Sequence, residues 1–128
     1  MTAVARVGSG GPWEEAFGYC RAVQAGPFLL SAGCTSTVDG EVTNVGDAYG
    51  QAVCAFGIAL EALGKLGADV SDVVRTRMYV VNPGDCEAVG RAHGSVFGAV
   101  RPAATMVVVA NLLHPDHLVE VEVEAYRP

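Results

Sequence analysis

The sequence predicts an α+β fold, with one mixed β-sheet that carries two helices on a single face. Hydrophobic residues make up 51% of the chain, strand-like and helix-like periodicities alternate along it, and only two segments have the helical period. A chain of 128 residues fits one domain, residues 1–128, since two domains would each be too small to sustain a core.

The first half of the chain predicts a β-hairpin followed by an amphipathic helix. Two short apolar runs, residues 19–23 and 28–33, flank a Gly-Pro turn and are typical of paired strands. Residues 47–66 form the predicted helix, because apolar residues recur there at steps of three and four. Asp47 can cap the start of this helix, and Gly67 can end it. The apolar stripe consists of Val53, Phe56, Leu60 and Leu63.

The second half of the chain predicts a strand, a helix and two further strands. Residues 73–81 are β-branched and alternating, and Asp85 then caps a helix whose apolar stripe includes His93. Residues 103–110 are almost uninterrupted in their apolar character, so this strand is expected inside the sheet and buried on both faces. Residues 118–125 alternate valine with glutamate, which predicts one buried face and one face that carries three carboxylates.

The predicted sheet is covered on only one face, because both helices pack on the same side. The opposite face, together with the apolar strand at residues 103–110, needs cover from elsewhere. In so small a protein another subunit is the simplest source of that cover. The sequence therefore predicts a closed homo-oligomer.

Charge and cysteine spacing exclude several classes of function. Eight Lys and Arg residues against 14 Asp and Glu residues leave a net charge of -6, which disfavours binding to nucleic acid. No apolar run approaches the roughly 20 residues needed to cross a bilayer, so a cytoplasmic protein without membrane contact is expected. The four cysteines are far apart and contain no C-x-x-C pair, which predicts free thiols and no metal site.

Five short segments follow one another in a characteristic order from residue 18 almost to the end of the chain. They are Gly18-Tyr19-Cys20-Arg21-Ala22-Val23, Ser31-Ala32-Gly33, residues 67–76, Arg101-Pro102-Ala103 and Leu118-Val119-Glu120-Val121-Glu122. Together they resemble the RidA/YjgF family. The resemblance implies a homotrimer of chorismate-mutase-like α+β subunits with three small-molecule clefts at the subunit interfaces. It also implies hydrolysis of reactive enamines and imines, such as 2-aminoacrylate, to keto acids and ammonia without a metal or cofactor.

The resemblance also implies roles for particular residues. Glu120 matches a carboxylate that holds or polarises the attacking water, while Tyr19 and Gly33 match residues that line the cleft. Deaminase members bind the substrate carboxylate through an arginine where this chain has Ala104, and often have a cysteine where it has Met106, which is expected in the cleft wall. Two charge-assisted hydrogen bonds, each worth about 1.5 to 3 kcal/mol, are thereby lost, so the standard deaminase activity is not expected.

Several candidate residues have two interpretations. Cys34 at the cleft mouth is either a nucleophile, if its pKa is lowered, or a small buried apolar side chain. His93 is either a general acid or base, or a hydrogen-bonded core residue. Tyr19 either lines the cleft or packs with its hydroxyl at the surface. Glu122 and Glu124 are interpreted as the polar face of an edge strand.

No other arginine is expected to replace the missing one, because Arg75 and Arg77 belong to a different strand and Arg101 has the opposite strand parity. Two functions therefore stay open. The first is an enzyme that acts on an imine, enamine or similar reactive molecule by water-assisted hydrolysis or proton transfer, with Glu120 at its centre. The second is a non-catalytic trimeric protein of the same fold, which either binds a small ligand in its interfacial pocket or acts as a partner protein.

Overall fold

The computed structural model describes residues 4–128 and confirms the predicted α+β class. Residues 1–3 of the predicted single domain lie outside the described part. In chain order, the elements are β1 (Val4–Val7), α1 (Pro12–Phe17), β2 (Ala22–Ala25), β3 (Phe28–Ser31), β4 (Thr37–Val38), β5 (Glu41–Val42), α2 (Ala48–Lys65), β6 (Val73–Val80), α3 (Cys86–Phe97), β7 (Ala103–Val108) and β8 (Val119–Tyr126). Six strands form one mixed sheet in the order β1-β2-β3-β8-β6-β7, and β4 and β5 form a separate hairpin. Strands β6 and β7 pair in parallel, whereas the other neighbours are antiparallel.

The elements predicted from periodicity are present close to their predicted bounds. Strands β2 and β3 form the opening hairpin. The Asp47 side chain caps α2, because its Oδ1 accepts a hydrogen bond from the backbone N–H of Gly50 at 2.9 Å. Gly67 follows this helix with a φ of +95°, a backbone conformation that favours glycine.

Four short elements have no periodicity long enough to predict them. Strand β1 pairs with β2 at one edge of the sheet. Helix α1 has six residues and ends at Gly18, whose φ is +76°. The β4–β5 hairpin turns at Asp39 and Gly40, both of which have a positive φ. Elements this short depend on contacts with the rest of the fold, which a local sequence pattern does not contain.

The two faces of the sheet differ, as the alternation in the last strand predicts. On the helix side, strand β8 packs against α2 with fully buried side chains. On the opposite side, which we call the open face, Arg77 Nη1 donates a hydrogen bond to Glu124 Oε1 at 2.6 Å, and the hydroxyl of Tyr79 donates to Glu122. Helices α2 and α3 pack against each other on the helix side, so neither of them covers the open face. The buried side chains of β8 are Val119, Val121, Val123 and Ala125.

Two predictions about the position of strands are wrong. Residues 103–110 were expected inside the sheet, but β7 lies at its edge, and Val107 and Val108 are exposed. An apolar run predicts that a strand is covered, but not whether its own chain supplies the cover. Strand β8, in contrast, is central between β3 and β6, so Glu122 and Glu124 do not lie on an edge strand.

The predicted cap of the second helix is also wrong. Asp85 already has helical backbone angles and makes no capping hydrogen bond. Its carboxylate instead accepts a weak hydrogen bond from Asn82 Nδ2 at 3.3 Å. The reason is a short 3₁₀ turn over Pro83–Asp85, which leads directly into α3, so helical geometry begins before the residue that was expected to start it.

Candidate functional site

The candidate site lies where Gly33, just after β3, meets Glu120 near the start of β8. A Cβ atom on Gly33 would lie 3.0 Å from Glu120 Cδ, and closer still to Oε2. The carboxyl group therefore packs directly on the Gly33 backbone, an approach that only glycine allows. The structure thus brings Gly33 and Glu120 into contact, two residues that the sequence indicated as separate candidates.

Backbone pairing holds this contact in place. Cys34 donates its N–H to Val121 O at 2.8 Å and accepts from Val121 N at 2.9 Å. The Ser31 hydroxyl oxygen accepts a hydrogen bond from Val123 N at 2.9 Å. The chain that leaves β3 is therefore fixed along β8 on both sides of Gly33, next to Glu120.

A buried glutamine positions the segment that enters β8. Gln51 in α2 is fully buried, donates a hydrogen bond from Nε2 to Asp116 O at 2.9 Å and accepts one from Leu118 N at 2.8 Å. This side chain satisfies backbone groups only two to four residues before Glu120. The sequence reasoning missed Gln51, although a polar residue at a core-facing position of an apolar helix stripe is a usable signal.

The Glu120 carboxyl group is half-buried and its pKa is raised. Burial is the main cause, the negative charge of Glu122 adds to it, and the positive charge of Arg21 acts in the opposite direction. Glu120 lies opposite Tyr79 in the strand register, on the side of the sheet away from the buried valines. A raised pKa makes the carboxylate a stronger base than that of an ordinary glutamate, which favours transfer of a proton to it.

Arg21 is the charged neighbour of Glu120 that the sequence reasoning missed. Its Nη1 donates a hydrogen bond to Gly33 O at 2.7 Å, and its Nη2 lies 3.3 Å from Glu14 Oε2. Glu14 also accepts hydrogen bonds from the backbone N–H and the hydroxyl of Ser9. Although burial acts to raise the pKa of Glu14, the hydrogen bonds from Ser9 and the charge of Arg21 lower it. The signal for Arg21 in the sequence is a charged residue within an otherwise apolar segment that is predicted to form a strand.

The Cys34 side chain favours the second of its two interpretations. It is 1% exposed, and burial raises the pKa of its thiol even though Arg21 acts to lower it. Arg21 Nη1 lies 3.6 Å from Cys34 Sγ. A thiol with a raised pKa is a poor nucleophile at neutral pH, so Cys34 fits a buried packing residue.

His93 lies on the other side of the sheet from Glu120, and the structure does not bring the two together. Its Nε2 is 2.7 Å from Thr76 Oγ1, a fully buried hydroxyl. The imidazole ring packs against Phe56 and Phe97, with centroid distances of 5.6 and 4.9 Å. Burial lowers its pKa. These contacts are those of a hydrogen-bonded core histidine.

Within residues 4–128, no group of three or more His, Cys, Asp or Glu side chains is arranged to hold a metal ion. No helix in the same range has the length and apolar character needed to cross a membrane. All four cysteines are free thiols, as their spacing predicts.

The comparison with known proteins decides the family. A family model described as Endoribonuclease L-PSP matches residues 13–127. The chain belongs to the RidA/YjgF family. Among its relatives, the uncharacterised protein SCO2049 of Streptomyces coelicolor is 46% identical over 125 residues, which cover 98% of this chain and 93% of that protein. A RutC family protein of Pyrococcus abyssi is 29% identical over 111 residues, which cover 85% and 86% of the two chains.

Solved structures support the same assignment. Rv2704 of Mycobacterium tuberculosis, a member of the YjgF/YER057c/UK114 family, has a TM-score of 0.88 and 40% identity, and the match covers 97% of this chain and 99% of Rv2704. The YjgF gene product of E. coli has a TM-score of 0.80 and 25% identity, with 96% and 94% of the two chains covered. The chorismate-mutase-like fold expected from the five segments is confirmed.

The remaining candidates of this RidA/YjgF protein lie apart from Glu120 within one chain. Ala104 and Met106 lie in the edge strand β7, and β6 separates that strand from β8. Met106 lies on the helix side, with its Cε 3.8 Å from the position of a Cβ on Gly90. Tyr19 lines an open cavity of about 630 Å³ together with Val23. In a single subunit, Gly33 is the candidate whose direct contact with Glu120 the structure shows.

The contact between Gly33 and Glu120 yields a first prediction. Replacing Gly33 by alanine should displace the Glu120 carboxyl group, because the new methyl group occupies its place. We expect a changed position of Glu120 in a crystal structure of the variant and at least a tenfold loss of any reaction in which Glu120 takes part. Gly57→Ala is the matched control, since a Cβ at Gly57 meets nothing within 4 Å. Equal activity of Gly33→Ala and Gly57→Ala would contradict the prediction.

Proposed function

We propose that this RidA/YjgF protein hydrolyses an imine or enamine of a small reactive metabolite, with Glu120 as the acid-base group. The observation that carries the proposal is the half-buried Glu120 carboxyl group, which has a raised pKa and packs on the Gly33 backbone. The family supports a role of this kind in broad terms. We place the reaction in clefts between the subunits of a homotrimer and in the cytoplasm.

The proposed reaction balances without a metal or cofactor. An enamine first takes up a proton from solvent at carbon and becomes an iminium ion. The Glu120 carboxylate then accepts a proton from water while the oxygen attacks the iminium carbon, which forms a tetrahedral carbinolamine. The protonated Glu120 gives that proton to nitrogen and the carbon–nitrogen bond breaks, so that ammonia leaves. The hydroxyl proton passes to the Glu120 carboxylate and then to solvent, which leaves the carbonyl compound and replaces the proton taken up at carbon. A carboxyl group with a raised pKa suits both steps, because its carboxylate is a stronger base than that of an ordinary glutamate and its protonated form lies closer to working pH.

The substrate is proposed to differ from that of the standard deaminases. Ala104 leaves β7 without the guanidinium that would bind a substrate carboxylate in two hydrogen bonds. Arg77 is engaged with Glu124, and Arg21 is engaged with Glu14 and the Gly33 carbonyl. We therefore propose a substrate whose recognition does not depend on a carboxylate group.

The homotrimer is proposed because it supplies the cover that one chain lacks. The open face exposes Phe28 and Leu30 beside the polar pairs of β6 and β8, and Val107 is exposed in the edge strand. Apolar surface of this kind is typical of a subunit interface, and homotrimers are typical of the family. In such an assembly, Ala104 and Met106 of one subunit would approach Glu120 of another, which a single chain does not allow.

The oligomeric state is directly measurable. Size-exclusion chromatography with light scattering should give three times the chain mass of 13.2 kDa at micromolar concentration. Exchanging Val107 for lysine should shift the species toward the monomer, because a charge would replace apolar area at the proposed contact. Lys65→Ala, at the exposed end of α2, is a control that should stay trimeric. A wild-type monomer at micromolar concentration would refute the proposed clefts.

The test of the activity is ammonia release from imines formed in situ, with an amino-acid oxidase for imines that carry a carboxylate group and an amine oxidase for imines that do not. A panel should include imines with and without a carboxylate group, and the protein should accelerate hydrolysis of the imines without a carboxylate over the spontaneous rate.

The second candidate function, a trimeric protein that binds a small ligand without chemistry, is favoured by the absence of an arginine at position 104, where this chain has Ala104. Saturable ligand binding without any acceleration of hydrolysis would support that candidate over the enzyme.

A further inference from the structure

We propose that Glu14 and Arg21 form a brace that positions the Gly33–Cys34 backbone against Glu120 and makes the N-terminal segment part of the active site. This inference rests on the proposed role of Glu120 and adds two positioning residues to it. Neither residue is proposed to touch the substrate.

The first support is the continuous chain of contacts from the N-terminal segment to the site. Ser9 donates two hydrogen bonds to the Glu14 carboxylate, and Glu14 pairs with Arg21 at 3.3 Å. Arg21 in turn donates to Gly33 O at 2.7 Å. The Glu120 carboxyl group lies against Gly33. Each link is a direct contact, so displacement of Arg21 moves the surface on which Glu120 rests.

The second support is the unusual way in which α1 is attached. Its apolar residues Trp13 and Phe17 are 61% and 69% exposed, while its single buried residue is Glu14. A six-residue helix has little stability of its own, and this one does not bury its aromatic side chains against the described chain. Its attachment therefore depends on the hydrogen bonds and ion pair of Glu14, which point toward the site.

The third support is the low exposure of the ion pair. The side chains of Arg21 and Glu14 are 15% and 9% exposed, so loss of either one leaves a poorly solvated charge without its partner. The guanidinium also has the planar set of donors needed to reach a carboxylate and a carbonyl together. A lysine keeps the positive charge but lacks this planar set of donors. Replacing Arg21 by lysine therefore tests the geometry of the side chain separately from its charge.

The charged and titratable groups around Glu120 make the brace observable. Glu122 raises the pKa of Glu120, Arg21 lowers it, and Cys34 and Tyr79 are the neutral titratable neighbours. Removal of Arg21 should therefore raise the pKa of Glu120. Removal of Glu14 leaves the Arg21 charge unneutralised, and should shift the pKa of Glu120 in the opposite direction.

The test compares Arg21→Gln, Arg21→Lys and Glu14→Gln with the wild-type trimer. Carbon-13 NMR of the Glu120 carboxyl, assigned with Glu120→Gln, gives its pKa without any need for turnover. We expect the pKa of Glu120 to shift in opposite directions in Arg21→Gln and Glu14→Gln, and to stay close to its wild-type value in Arg21→Lys. In all three variants we expect a kcat at least tenfold lower, with little change in KM. Arg127→Gln, which breaks the Arg127–Asp72 pair, is the control for a general loss of an ion pair.

The outcomes separate the brace from the proposed function. If the wild-type protein hydrolyses no imine, the enzyme proposal fails, whereas opposite NMR shifts and a displaced Gly33 in crystal structures still support the brace. If all three variants fold and leave the Glu120 pKa, the Gly33 position and kcat as in the wild type, the brace is refuted. If Arg21→Gln does not fold, Arg21→Lys and Glu14→Gln decide by the same measurements.

Discussion

Glu120→Gln should lower kcat for imine hydrolysis by about 10² to 10⁴-fold, which is the usual contribution of one general acid-base group. Glutamine keeps the size of the side chain and one oxygen acceptor, so the contact with Gly33 and the value of KM should change little. Only the ability to take a proton from water and return it to nitrogen is lost. The measurement is ammonia release at saturating substrate for the two proteins.

The same substitution should not destabilise the folded protein. The pKa of Glu120 is raised in the folded state, so ionised Glu120 opposes folding at pH values above the carboxyl pKa of the unfolded chain. Removing the charge should therefore leave the urea midpoint at pH 7 unchanged or higher. A loss of activity together with a large loss of stability would show a structural role for Glu120 instead of a catalytic one.

The pH dependence of the wild-type enzyme follows from the same shift. The ionised carboxylate is the form that accepts a proton from water, so kcat should fall as the pH decreases through the pKa of Glu120. Because burial and the charge of Glu122 raise this pKa, the fall should occur at a higher pH than the ordinary glutamate value of 4.5. An acidic limb at or below that value would contradict the assignment of Glu120 as the base.

Ala104→Arg should create hydrolysis of 2-aminoacrylate where the wild-type protein has little. A guanidinium at this position can form two charge-assisted hydrogen bonds with the substrate carboxylate, each worth about 1.5 to 3 kcal/mol. The corresponding gain in kcat/KM is about 10²-fold or more. The measurement is pyruvate release coupled to lactate dehydrogenase, with 2-aminoacrylate formed in situ.

The matched control for this prediction lies one residue earlier in the same strand. Ala103→Arg adds the same charge, but residue 103 pairs with Arg75 and residue 104 pairs with Thr76, so the two side chains point to opposite faces. A gain with Ala104→Arg alone supports the cleft assignment. Equal gains in both variants would show a general effect of positive charge, and no gain in either would show that residue 104 does not face the substrate.

The candidate site could be predicted only in part, because its contacts join distant segments of the chain. Glu120 and Gly33 followed from the family motifs, but their direct contact depends on the pairing of Cys34 with Val121. Arg21 was present in the first of the five segments, yet its link to Glu14 and Gly33 required the position of α1. His93 was placed correctly on an apolar stripe, and only the packing of α3 showed that this stripe faces away from Glu120.

Local sequence determined the elements whose pattern is long enough to repeat. The alternation over residues 118–125 fixed which side of β8 is buried, and Asp47 and Gly67 set the limits of α2, because these effects act over a few neighbouring residues. The tertiary structure alone decided that β7 is an edge strand, that β8 is central and that Arg21 reaches the Gly33 carbonyl beside Glu120. Strand order and charge pairing arise from contacts between segments far apart in the chain, and no local pattern specifies those contacts.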